Sequence, residues 1–540
     1  MLSYLTKQII KLKPTTTRQV FELKREAVLK FKNNDFPKNS SILKYYRENY
    51  KKRTDSLDKY FEKLLRAAPI RSLSGIVSVT VLTKPYECPG KCIFCPKEIG
   101  MPKSYLKNEP AAARALTLKF DPYLQVKRRI ESLEAQGHNA DKIELIILGG
   151  TWSYYTKNYQ NYFIKRCFEG ANGTNEKFKV KNEKLKLKIQ NLKTVQKINE
   201  TAKHRIVGLT IETRPDYINE KEIMRLRRLG VTRVELGVES VYDDVLKYNK
   251  RGHGIEEIID ATKLLKDSGF KVNYHIMLDL PGSSTKKDEQ MFKILFFNER
   301  FQPDWLKIYP TSVLKTAPLY KLWKAGKYKP YTSKKLIDLI IRIKKIIPPY
   351  VRITRVIRDI PLQDIVAGSE VSNLRQDIAR EMKRQSISCQ CIRCREIREE
   401  IYDKNIELVR REYDASSGKE IFLSFEDKKR KHLYALLRLR IPSQFLQSKK
   451  HFIEELTGAT IIRELHTHGN VVALNNKTKQ ASQHKGLGKK LMIEAERISK
   501  EEFGAKKIAV ISGIGVREYY KKLGYKLEGT YMTKNLKLKV

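Results

Sequence analysis

The chain has 540 residues, 41 % of them hydrophobic and 31 % charged, enough for several packed cores. Lys and Arg outnumber Asp and Glu by 108 to 61, and the formal charge of +47 favours polyanionic partners, nucleic acid first. No apolar run reaches about eighteen residues, and Met1 to Pro14 lacks a secretory signal's apolar core and cleavage site, which excludes a membrane span and points to the reducing cytoplasm.

Residues 1–75 read as helical, with apolar positions at helical spacing over Val20–Phe31 and Ile42–Ala68. They hold 18 basic against seven acidic residues, interleaved with Tyr45, Tyr46, Tyr50 and Tyr60. That pattern suits an RNA backbone with stacked bases, the bland alternative being a general lysine bias. A β-like run, Gly75–Leu82, leads directly into Cys88, Cys92 and Cys95. Three thiolates at C-x3-C-x2-C spacing on one loop ligate three irons of a 4Fe-4S cluster and leave the fourth open. The open iron suits the amino and carboxylate groups of S-adenosylmethionine, and Phe94 beside the last cysteine fits the radical-SAM signature. A zinc knuckle or a disulfide loop is the alternative, but zinc wants a fourth ligand close by and none follows.

Strands and helices then alternate over some 240 residues, which implies parallel βα units in an open or closed barrel. The strands are Ile143–Leu148, Ile206–Ile211, Val231–Val238, Lys271–Met277 and Trp305–Tyr309; Glu220–Leu229 and Ile255–Ser268 are helices between them. Sites in such barrels gather at strand C-termini, which here carry Gly149, Gly150, Glu212, Arg214, Glu239, His275 and Asp279. Gly149 and Gly150 let the backbone approach a methionine moiety, and Glu239 suits a ribose hydroxyl. Residues 171–203, with nine lysines against Glu176, Glu183 and Glu200, read as a surface insertion. The Arg352–Arg358 segment closes the barrel region.

A second triplet, Cys389, Cys391 and Cys394, follows the helix-like stretch Asn373–Arg384. Its C-x-C-x2-C spacing favours structural zinc with an unidentified fourth ligand; a second iron–sulfur cluster and an unligated triplet are the alternatives. From about Glu407 the pattern turns to β, with strands over Glu420–Phe425, His432–Arg440 and Ala459–His466. The turn Gln483–Gly488 opens a helix over Lys489–Glu501 and presents backbone N–H groups to a pyrophosphate. With Lys507–Ser512 and Tyr519–Tyr520 behind it, this is the order of a GNAT acetyl-CoA domain, in which Tyr520 reaches the thiol end as a proton donor. Packing of a helix face is the plain alternative for both tyrosines.

Further segments resemble one family. Glu109-Pro110, Ile211–Asp216, Arg251–His253, Asp267–Val272, Tyr309–Thr311, Arg358–Pro361, Asn373–Arg375, Arg463–His466 and Ile508–Gly513 are similar to the catalytic subunit of Elongator, from about residue 75 onward. The resemblance implies an enzyme that builds a carboxymethyl group on carbon 5 of the tRNA wobble uridine. Cys88, Cys92 and Cys95 then hold the cluster that makes a 5′-deoxyadenosyl radical, which takes hydrogen from the methyl of acetyl-CoA. Lys142 matches an acetyl-CoA contact from the barrel side, and Glu464, Leu465, His466, Thr467, Leu487, Gly488, Lys489 and Tyr520 match those of the GNAT domain. Eukaryotic members have a longer first cysteine spacing and lack the second triplet. That difference implies a prokaryotic-type enzyme acting on its own, as a monomer or homodimer, with zinc stiffening the linker.

The expected architecture is therefore α/β in four parts. They are a basic tRNA-binding helical region (1–75), a radical-SAM partial barrel (76–360), a zinc-binding linker (361–405) and a GNAT domain (406–540). Two rivals remain: a protein lysine acetyltransferase with a vestigial barrel, and a tRNA-binding scaffold with decayed catalytic parts.

Overall fold

Four short amphipathic helices open the chain: α1 (Leu2–Leu12), α2 (Thr17–Lys30), α3 (Asn39–Tyr50) and α4 (Asp55–Leu65). The computed structural model describes residues 1–50, 55–68, 72, 74–173, 191–368, 371, 373–398, 405–469 and 486–536. The helices bury their own small core, built from Leu5, Ile9, Val20, Ala27, Ile42 and Phe61. Thr16 and Gln19 form a capping box that starts α2. The helix expected over Ile42–Ala68 is two helices, and Ala68 has a left-handed φ of 47°. The tyrosines expected to stack on RNA are also reassigned in part. Tyr46 is stacked on Phe61 at 3.8 Å and only 1 % exposed, and the Tyr60 hydroxyl donates to the Pro14 carbonyl. Tyr46 shares the apolar face of α3 with Ile42 and Leu43, so helical spacing turns it into the core.

The middle of the chain is an open sheet of seven parallel strands. In sheet order they are β1 (Val77–Leu82), β2 (Lys142–Leu148), β3 (Arg205–Thr213), β4 (Arg233–Glu239), β5 (Lys271–Leu278), β6 (Trp305–Pro310) and β8 (Arg352–Arg355). A small pair, β7 (Ser312–Leu314) and β9 (Ile365–Gly368), lies apart from it. Side chains alternate along each strand. On β2, Ile143, Leu145 and Ile147 are buried under the surrounding helices, while Lys142, Glu144 and Ile146 line the lumen. The lysine-rich stretch is less of an insertion than its composition suggested. The helix Lys157–Asn172 runs into it, and Leu192–Asn199 is a helix whose Val195 and Asn199 are buried. Asn199 accepts from the Ile206 amide and donates to the His204 carbonyl, which ties that helix to the start of β3. Residues 174–190 lie outside the described residues.

The C-terminal sheet runs β10 (Ile406–Ala415), β11 (Gly418–Asp427), β12 (Leu433–Ile441), β13 (Ala459–Thr467), β14 (Lys507–Val510), β16 (Tyr531–Asn535) and β15 (Lys526–Glu528). It is antiparallel except for β13 with β14. The helix Leu487–Arg497 packs its Leu491, Met492 and Ala495 into the core of that sheet.

This domain docks on the N-terminal ends of the barrel strands. A Cβ at Gly513 would collide with the Val207 carbonyl oxygen, so only glycine lets the two backbones meet there. Asp304, before β6, is fully buried and accepts both Arg463 guanidinium donors at 2.6 Å. Arg438 lies 3.6 Å and Lys266 3.8 Å from the same carboxylate. Asp267 holds Arg440 at 2.7 and 3.0 Å. Water is excluded from every one of these charges, so the junction is held by ionic geometry as well as by apolar contact.

Candidate active site: one lumen between two domains

The loop after β1 gathers its cysteines against cations. Cys92 Sγ accepts from Arg251 Nη1 at 3.3 Å, and Cys88 Sγ accepts from the Gly90 amide at 3.4 Å. The Cys92 thiol is pushed down to about 5, by its contact with Cys95 first, then by Arg251 and Arg214 against the opposing effect of burial. Arg214 Nη1 is buried with no hydrogen-bond partner among the described residues. A Cβ on Gly90 would sit 2.9 Å from that nitrogen and 3.5 and 3.6 Å from the Cys88 and Cys92 sulfurs. The three thiols, the open Nη1 of an Arg214 otherwise paired with Asp216, and the bare backbone of Gly90 fit an anionic thiolate-ligated cluster.

Beneath the loop a single cavity of 1170 Å³ runs through the barrel. Its walls are the inward residues of successive strands, and they are charged. Glu235 of β4 accepts from His275 Nε2 at 2.7 Å, from Asn273 at 3.1 Å and from the Lys307 ammonium. Arg233 pairs with Glu144 across the lumen. Burial raises the Glu235 pKa, but Lys307 and His275 outweigh it and hold the carboxyl well below its ordinary range. Glu239, at the upper end with φ 68°, lies 3.6 Å from Arg251 and is pushed upward by burial. The tyrosine Tyr105 donates to Glu212 at 2.6 Å.

The lower end of the cavity belongs to the C-terminal domain. β13 pairs with β14 only from Ala459 to Ile462, then continues to Thr467 paired with β12 alone, so its other edge is open. Glu464, Leu465, His466 and Thr467 line the resulting cleft, with Gly488, Lys489 and Tyr520 opposite them. Glu464 is fixed by Arg438 at 2.8 Å and by Lys271 of the barrel at 3.8 Å. Burial keeps Tyr520 protonated well above its ordinary range, and burial with His468 and Arg352 keeps His466 neutral.

The cavity thus brings together the first cysteine triplet with Lys142, Gly150 and Glu239 from the barrel and the β13, Gly488, Lys489 and Tyr520 group from the far domain. Gly149 and Leu487 are not part of its wall. Gly149 packs on Thr83, and Leu487 is 3 % exposed in the apolar core of the C-terminal sheet. Asp279 is also withdrawn from the strand-end set. It accepts from the Tyr331 amide at 2.6 Å and its carbonyl accepts from Tyr328, a local brace. Gln483 to Lys485 of the glycine turn lie outside the described residues. Sequence reasoning missed Glu144, Arg233, Glu235 and Lys307. The available signal was a charge at every second position inside strands that parallel packing should make apolar.

The second triplet also converges: Cys389, Cys391 and Cys394 sulfurs all lie within 4.8 Å of one another. Among the described residues no His, Asp, Glu or further Cys joins them, and Lys344 Nζ approaches Cys394 at 3.6 Å. Ile392 and Arg393, between the last two cysteines, line the cavity.

Residues 82–295 match the Radical SAM superfamily and residues 303–384 the Radical_SAM C-terminal domain. The chain is 49 % identical over 515 residues to the tRNA uridine(34) acetyltransferase of Methanocaldococcus infernus, covering 93 % of this chain and 92 % of that protein. It is 41 % identical over 493 residues to Elongator complex protein 3 of Homo sapiens, covering 88 % and 86 %. The solved archaeal Methanocaldococcus infernus Elp3 with an N-terminal deletion aligns with a TM-score of 0.73 at 46 % identity, covering 86 % of this chain and all of that one.

Proposed function

The chain belongs to the radical-SAM family of the tRNA uridine(34) acetyltransferases and Elongator complex protein 3, and on that premise we propose that it carboxymethylates carbon 5 of the wobble uridine of tRNA. Acetyl-CoA is the carbon source. The observation that carries the reading is the single cavity that joins the cysteine loop to the cleft of the C-terminal domain. Cys88, Cys92 and Cys95 would hold a 4Fe-4S cluster, which with S-adenosylmethionine would supply hydrogen-atom abstraction from the acetyl methyl. Gly150 and Glu239 contact S-adenosylmethionine at the upper end. The β13 edge from Glu464 to Thr467, with Gly488 and Lys489 at the helix start, binds acetyl-CoA at the lower end, and Lys142 reaches it from the barrel. Tyr520, kept protonated by burial, donates to the sulfur as CoA leaves.

Cys389, Cys391 and Cys394 would hold a structural zinc ion whose fourth ligand is not among the described residues, with the buried Lys344 cation offsetting thiolate charge. tRNA is the macromolecular partner, and no further subunit is required. Among the described residues no helix is long and apolar enough to cross a membrane.

The test is reconstitution with iron and sulfide, followed by tRNA, acetyl-CoA, S-adenosylmethionine and a reductant. Mass spectrometry of the digested tRNA is expected to show carboxymethyluridine. No modified base, with lysine acetylation of basic peptides instead, overturns the proposal in favour of a protein acetyltransferase.

A further inference from the structure

One group in the lumen has no part in cluster or acetyl-CoA binding. β4, β5 and β6 lie side by side, and their register sets Gly237 beside His275 and His275 beside Lys307. The His275 ring stands edge-on to Tyr309 at 5.6 Å, and its Nε2 is committed to Glu235 at 2.7 Å. Its Nδ1 takes no hydrogen bond among the described residues and is not one of the solvent-sealed polar atoms, so it opens to the cavity that His275 lines. The carboxylate fixes the proton on Nε2 and leaves a lone pair on Nδ1, the tautomer a general base needs. Glu239 lies near the same ring, and Arg251 stands 3.6 Å from Glu239 and 3.3 Å from Cys92, so His275 sits on the lumen wall below the cysteine loop.

The same carboxylates and ring also place three donor atoms of Glu212, Glu235 and His275 within 4.8 Å of one another, the pattern of a metal site. The Lys307 ammonium settles the matter against a metal. It contacts Glu235 and lies 3.7 Å from Glu212, so the cation these carboxylates need is a side chain of the protein. What remains is an oriented imidazole beside a fixed positive charge.

We propose that His275, oriented by Glu235, is a hydrolytic site that cleaves the thioester after the acetyl carbon has been joined to the uracil. The inference rests on the tRNA reading above and supplies the base for the cleavage in which that reading has Tyr520 protonate the leaving sulfur. Water gives a proton to Nδ1 as its oxygen bonds to the thioester carbonyl carbon. The tetrahedral oxyanion then collapses, the carbon–sulfur bond breaks, and the thiolate takes the Tyr520 proton to leave as CoA, the imidazolium proton returning through water to Tyr520. One water is consumed, a carboxylate and a thiol are formed, one proton is released, and nothing is oxidised or reduced. Lys307 and Glu235 are positioning residues; only His275 touches the water.

The test uses the reconstituted holoenzyme and three readouts: 5′-deoxyadenosine, carboxymethyluridine and CoA bound covalently to tRNA. His275→Gln keeps a donor toward Glu235 but has no basic nitrogen. It is expected to form 5′-deoxyadenosine in a first turnover, to lose carboxymethyluridine by about 100-fold or more, and to accumulate a uridine carrying CoA through a thioester. Hydroxylamine should release that CoA. Glu235→Gln should move the same way to a smaller degree, and thermal unfolding of both variants checks the fold. Parallel loss of 5′-deoxyadenosine and product with no RNA-bound CoA overturns the proposal, as does full product in His275→Gln. Loss of one bound divalent ion in His275→Gln without the adduct also overturns it, in favour of a metal. A wild-type enzyme that makes no carboxymethyluridine overturns the parent reading instead, so the two failures are distinct.

Discussion

Asp304 shows how much a single side chain carries at the domain junction. Its carboxylate is wholly buried, accepts Arg463 twice at 2.6 Å and the Val272 amide at 2.9 Å, and lies near Arg438 and Lys266. Burial alone would raise its pKa, but Arg463, Lys266 and Arg438 outweigh burial and hold it below its ordinary value. Asp304→Asn leaves three cations facing a neutral amide, so a loss of about 3–5 kcal/mol is expected from denaturant melts at neutral pH. The sign with pH follows from linkage. A carboxyl depressed in the folded state stabilises fully above the unfolded pKa of about 4 and loses that contribution as pH falls further. The gap between wild type and variant should therefore stay constant from pH 7 to about 5 and narrow below 4. A gap that widens in acid would contradict this account of the junction.

At the scale of elements, local pattern and tertiary packing divided the work. The barrel strands were legible almost to the residue, because a buried parallel strand is a short apolar run ending in a polar loop: β2 and β5 each differ by one residue at one end. The helix Leu374–Arg384 and strands β11 to β14 were equally plain, whereas β10, β15 and β16 carried no strand expectation of their own. The contents of the lumen were not. A charge at alternate positions of a buried strand marks Glu235 and Lys307 as lumen candidates, but only strand order sets one beside the other. The helix Leu192–Asn199 was hidden for a related reason, its lysines advertising solvent while Val195 and Asn199 did the packing. The second cysteine triplet was legible as a metal motif, whereas its closeness to the cavity wall through Ile392 and Arg393 was not. That closeness gives a prediction. Cys391→Ser should reduce bound zinc, lower Tm by about 5 °C or more, and raise KM for acetyl-CoA or tRNA through the displaced wall. Unchanged zinc content and Tm would remove the linker from the zinc account.

For the molecule as a whole, the question is whether the charge of +47 serves RNA or merely reflects lysine-rich composition. The structure divides the cations into two populations. Those of the junction, and some of the lumen, are paired with carboxylates: Arg233 with Glu144, Lys307 with Glu235, and Arg463 and Arg440 with Asp304 and Asp267. These contribute little field outside the protein. The excess resides on the cavity wall, where Lys103, Arg114, Lys142 and Lys489 stand, and on the surface, including α2, where Arg25 and Lys30 are exposed, as are the Phe21 and Phe36 rings. Surface cations that contact phosphates release counterions, and five such contacts give a log Kd against log salt slope of magnitude about 4. We expect tRNA affinity to fall with at least that slope between 50 and 200 mM salt, read by filter binding or fluorescence anisotropy. Acetyl-CoA, held in a partly enclosed cleft by fewer charges, should show a much shallower dependence. A tRNA slope no steeper than that for acetyl-CoA would assign the surface lysines to composition alone and leave the lumen as the sole basis for recognising the substrate.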